Sequence, residues 1–165
     1  MLEPAVAVVF PLLVAYAAVT DFLTMTIANR VSILLVAFFL LLAPFVGMTP
    51  AAFGLHFAAA FAVFAAGYIC FVCGWMGGGD VKFGAAVALW LGMPHLLEFM
   101  ILFSLYGGAL TLFVLVISKH LEPLPVLQLG FLAKFAEKRT VPYGIALAAA
   151  ALTVYPKSIW VQSII

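Results

Sequence analysis

Long apolar runs separated by short polar clusters set the plan of this 165-residue chain. A helix that crosses a bilayer needs ~20 mostly apolar residues. Six stretches come close, over about 4–20, 30–48, 51–73, 80–93, 95–118 and 141–155. Polar or helix-breaking residues punctuate them at Thr20-Asp21, Thr49-Pro50, Gly74–Gly79, Gly92-Met93-Pro94, Lys119-His120 and Val141-Pro142. The pattern predicts an all-α, polytopic bundle of six transmembrane helices. The loops leave no room for a soluble domain, so residues 1–165 are expected to form one membrane-embedded domain.

Two segments depart from a plain span. From Asp80 to Met93 is 14 residues, about 21 Å at ~1.5 Å per residue, against a hydrocarbon core of ~30 Å. Either this helix starts upstream, through the glycines, or the Gly77–Asp80 turn lies below the membrane surface. Irregular backbone at that depth needs protein or a water-filled cavity around it. The second segment is 125–139, where Leu129, Leu132 and Phe135 alternate with Gln128, Lys134, Lys138 and Arg139. It reads as a basic amphipathic helix on the membrane surface.

Composition agrees with the periodicity. The chain is 68% apolar and 8% charged, with a mean hydropathy of +1.32, which excludes a soluble globular domain. Its net charge of +1 implies no nucleic-acid partner; the lipid bilayer is the expected surrounding. Cys70 and Cys73 form a C-x-x-C without two further ligands nearby, so they are expected to be buried helix residues, with no metal and no cofactor. The start, Met1-Leu2-Glu3-Pro4, has no positive stretch, so the first helix is expected to stay uncleaved. Arg30, Lys82, Lys119, Lys134, Lys138 and Arg139 fall in the loops after the first, third and fifth helices, and only Lys157 lies on the other side. By the positive-inside rule those loops face the cytoplasm, and both termini lie outside.

The same count brings Asp21 and Asp80, the two aspartates of the chain, to one membrane face. An ionisable group in such apolar company marks a functional site by default. Two carboxylates brought together share a proton, one acting as base toward water and the other as acid toward a leaving group. A structural reading stands beside this one. Asp80 can cap the next helix by accepting from the N–H of Lys82 or Phe83, and Asp21 and Asn29 can be interfacial caps. Lys82, two residues from Asp80, points elsewhere on a helix and is expected to reach the surface. His95 and Glu98 suggest an i,i+3 pair, and His56 a packing residue. Tyr143 and Gly144 open a helix of small residues suited to close packing.

Gly77-Gly78-Gly79-Asp80-Val81-Lys82 resembles the G-x-G-D motif of intramembrane aspartic proteases, in the form used by type IV prepilin peptidases. Asp21, followed by Ile27 and Asn29, resembles that family's first catalytic segment, and Val141-Pro142-Tyr143-Gly144 the start of its last helix. Ala28 stands where the family has Pro, and Phe22–Thr26 lacks the charges that follow its first Asp. The resemblance implies that Asp21 and Asp80 are a catalytic dyad. It also implies that a prepilin or pseudopilin leader is cleaved at the cytoplasmic face of the inner membrane. Full-length members carry a zinc-binding domain and N-methylate the product. This chain has no room for that domain and resembles the short, peptidase-only branch of Tad/Flp pilus assembly, where other pilus-assembly membrane proteins would be partners. Gly77, Gly78, Gly79, Asn29, Lys82, Tyr143 and Gly144 are the candidate substrate-binding residues, the glycines because no Cβ keeps a substrate backbone away. The rival readings are a small proton-coupled transporter or ion-conducting bundle using Asp80 and Glu98, and a non-catalytic assembly factor.

Overall fold

The computed structural model describes residues 3–121 and 141–162. Helix α1 covers Glu3–Thr24, α2 Asn29–Leu42, α3 Pro50–Val72, α4 Gly78–Leu91 and α5 Met93–Leu121. After them come α6, Tyr143–Val154, and the short α7, Ile159–Gln162. Four segments are long and apolar enough to cross a membrane: Ala7–Thr24, Asn29–Val46, Pro50–Val72 and Met93–Val116. The chain is a multi-pass membrane protein, all-helical over the described residues, with four such segments where six were expected.

The difference lies in α4 and α6, which have 14 and 12 residues. At ~1.5 Å per residue they are about 21 and 18 Å long. Each is shorter than a ~30 Å hydrocarbon core, and both are packed inside the bundle. Helix α4 contacts α2, α3, α5 and α6, and all ten of Val81 and Phe83–Leu91 are buried. Small residues permit this. A Cβ on Gly67 of α3 would already touch Val81 at 3.0 Å, and one on Gly84 would meet Leu147 at 3.5 Å. Helix α6 brings buried Gly144, Ala146, Ala148, Ala150 and Ala151 against α1, α4 and α5.

The end of α4 remote from Asp80 is locked by aromatic rings. Trp90 Nε1–H donates to Leu35 O at 2.9 Å, and Trp160 Nε1–H donates to Trp90 O at 2.7 Å. Phe10 stacks on Tyr155 with centroids 4.4 Å apart. His56 is the expected packing residue, its Nδ1–H donating to Leu89 O at 2.7 Å. Glu98 pairs with Lys157, not His95, because α5 and the turn after α6 close on each other. Cys70 is partly buried and Cys73 exposed, contrary to the burial expected of both, since α3 packs one face on α4 and turns the other outward. The expected surface helix 125–139 lies outside the described residues, as do Lys134, Lys138 and Arg139.

Candidate functional site

Helix α1 ends where its apolar run ends, just past Asp21. Met25 takes a left-handed conformation, φ 56°, and its N–H donates to Asp21 O at 2.8 Å, closing the last turn. The chain then runs extended through Ala28, at φ −66° and ψ 133°. That φ is the one a proline ring enforces, so Ala28 holds proline-like backbone without the ring. Ala28→Pro is expected to be tolerated and to stabilise the fold by about 0.4–1 kcal/mol, by limiting the unfolded chain. A lowered thermal midpoint in detergent would mean that the Ala28 N–H is needed.

This bend swings Ile27 between two glycines. A Cβ on Gly79 would sit 3.2 Å from Ile27 O, and a Cβ on Gly144 would sit 2.6 Å from Ile27 Cδ1. Ile27 is buried and joins the starts of α4 and α6 to the end of α1. The neighbouring glycines are also filled from within the protein: the Gly78 Cβ position faces the Phe71 ring at 3.3 Å, and that of Gly77 faces Asp80 Oδ2 at 2.9 Å. The three glycines therefore serve close packing of the chain on itself, and they also line the cavity described next.

Asp21 is 4% exposed, and its Oδ2 accepts the Gly144 N–H at 2.8 Å, with the Ile145 N–H as a second donor. These are free donors in the first turn of α6, at the positive end of its dipole. Asp21 thus caps a helix 123 residues further along the chain, not one next to it. Asp80, in the first turn of α4, reaches back to the Gly77 N–H instead of forward to Lys82 or Phe83. Burial, and then the Asp21 carboxylate, push its carboxyl up to about 6 from the ordinary 3.8, against the pull of that N–H. Asp80 lies outside the four long apolar segments.

Both aspartates open on one cavity of about 840 Å³, lined by residues from the α1–α2 bend, the Gly74–Gly79 loop and the start of α6. Asn29, Gly77, Gly78, Gly79 and Tyr143 line it; Lys82 and Gly144 do not. Gly144 stands behind Asp21. Lys82 is exposed, and its Nζ donates to Asn29 Oδ1 at 3.0 Å, tying α4 to α2. Trp75, also in the lining, is 75% exposed, and sequence reasoning passed it over although an aromatic residue in a loop at a membrane face was a usable signal. Thr26, overlooked as well, also lines it, as does Pro142 of the Val141-Pro142-Tyr143-Gly144 helix start.

A cavity on which two carboxyl groups open together suits acid–base hydrolysis. The family model for the type IV leader peptidases matches residues 8–112, a stretch that includes Asp21 and Asp80 and ends before Gly144. No curated protein matches the chain significantly, and no solved structure does. Since that stretch is well over half of the 165 residues, the chain belongs to the type IV leader peptidase family.

Proposed function

We propose that the protein is a membrane aspartic endopeptidase that removes the leader of a type IV prepilin or pseudopilin of the Flp kind at the cytoplasmic face, with Asp21 and Asp80 as its dyad. The observation that carries this reading is the shared cavity. The two aspartates of the chain, 59 residues apart in sequence, line the same pocket, and the Asp21 carboxylate helps to raise the pKa of Asp80. The positive-inside count puts that pocket at the cytoplasmic side of the inner membrane, with both termini outside. Residues 1–165 act as one peptidase domain.

In this mechanism the pair holds one proton. Asp80 is the member that its surroundings keep protonated at moderately acidic pH, so it serves as the acid and Asp21 as the base. Asp21 takes a proton from water, whose oxygen attacks the scissile carbonyl. Asp80 gives its proton to the departing amine as the carbon–nitrogen bond breaks. Gly77–Gly79, Asn29 and Tyr143 line the space that the leader junction would occupy; Lys82 and Gly144 act from beside it.

The pH dependence follows from these roles. An acid with a pKa of about 6 loses its proton as the pH rises, so kcat/KM should fall tenfold per unit above about 6, and fall again at low pH where Asp21, the base, becomes protonated. A profile flat to pH 8 would remove Asp80 from the acid role. The direct test is co-expression of the wild-type protein with candidate prepilins, followed by a mobility shift and N-terminal sequencing. One new N-terminus at the leader–helix junction is expected. If no leader-bearing substrate is processed, the reading fails.

A further inference from the structure

A second cavity, of about 810 Å³, lies against the catalytic one, between α2, α3 and α4. It is an open groove. Small residues, among them Ala37, Ala60, Ala85 and Ala86, alternate in its lining with Ile33, Leu40, Phe57, Phe61 and Phe64. Along α2 it runs from Asn29 to Leu40, 12 residues spanning about 17 Å, roughly half of a ~30 Å hydrocarbon core. Polar groups gather only at its head, beside the catalytic cavity: Asn29, Ser32 and Lys82. Asn29 lines both cavities.

We infer that this groove seats the apolar helix of the substrate while the preceding leader junction lies at the dyad; the inference rests on the proposed peptidase function. Two observations select a peptide helix over a lipid chain. Continuity comes first. A polypeptide whose scissile bond lies in the catalytic cavity passes Asn29, which lines both cavities, and enters the groove with its next residues. Shape is the second. Alanines let a helix backbone approach closely, and the flanking Phe side chains wrap it. The Asn29–Lys82 bridge at the head then marks where the substrate helix ends and the extended junction begins.

The test uses the full-length protein in membranes with a co-expressed prepilin. A photoreactive phenylalanine is placed at Ile33 or Phe61 in the groove, or at Leu105 or Leu112, exposed residues of α5 away from it. The Asp80→Asn background keeps the substrate uncleaved. Prepilin adducts are expected at 33 and 61 and not at 105 and 112. Adducts chiefly on α5, or lipid adducts alone at 33 and 61, would overturn the groove assignment. Ala37→Trp, which fills the groove from an exposed position, should raise KM about tenfold with kcat retained. It should leave cleavage of a short leader-junction peptide without the apolar helix unchanged. Full processing of prepilin by Ala37→Trp would reject the groove and leave the dyad standing. Failure of the wild type to cleave any leader would instead reject the peptidase reading beneath it.

Discussion

Asp21→Asn and Asp80→Asn are each expected to lower prepilin processing by at least about 10³-fold, within the range that loss of a positioned acid or base produces. The two substitutions keep volume and shape, so the bundle should still assemble. Asn at 21 retains a carbonyl oxygen that can accept the Gly144 N–H, the contact that Asp21 Oδ2 makes at 2.8 Å. Asn at 80 can likewise face Gly77. What neither can do is carry a proton between water and the leaving amine. Because the two act as one unit, the double variant should be no worse than either single one. The measurement is the fraction of prepilin converted at equal membrane levels of enzyme. Substantial processing by either single variant would show that the pair is not the catalytic machinery, whatever the shared cavity suggests.

Gly144→Ala is expected to be nearly as damaging, though position 144 carries no chemistry. A methyl group there would stand 2.7 Å from Asp21 Oδ2 and 2.6 Å from Ile27 Cδ1, well inside any real contact. The Ile27 end can rotate away. Asp21 can move only by leaving the N–H donors of α6 that hold it. A shift of about 1 Å in a reacting group costs on the order of 10²-fold, so processing should fall at least that far, with the protein still present in the membrane. The readout separates the two possible failures. If Gly144→Ala lowers kcat with KM kept, Asp21 has been displaced. If activity stays within twofold of wild type, the Asp21–Gly144 contact does not position the carboxylate.

The helices were legible because their cause is local. Apolar runs with polar ends appear in the residues themselves, and α1, α3 and α5 begin and end within a few residues of where the pattern puts them. The span count was less legible. Length against bilayer thickness flagged α4 as too short, but α6 reads as just another apolar run. That both are enclosed by longer helices depends on neighbours, which hydropathy does not encode. The glycines show the same limit. Three in a row before an aspartate suggested open space for a substrate, whereas Phe71, Ile27 and Asp80 itself already occupy what a Cβ would take.

What the sequence determined by itself is the set of parts: a membrane bundle, two isolated carboxylates, glycines beside one of them, and a Pro-Tyr-Gly helix start far downstream. The tertiary structure decided how they meet. It made Asp21 the cap of α6, made Ile27 the joint between Gly79 and Gly144, turned Asp80 back on Gly77, and laid an apolar groove against the cavity. These are contacts between residues up to 123 positions apart. Such pairings follow from packing whole helices against one another, and no local pattern of side chains specifies which helix start will face which carboxylate.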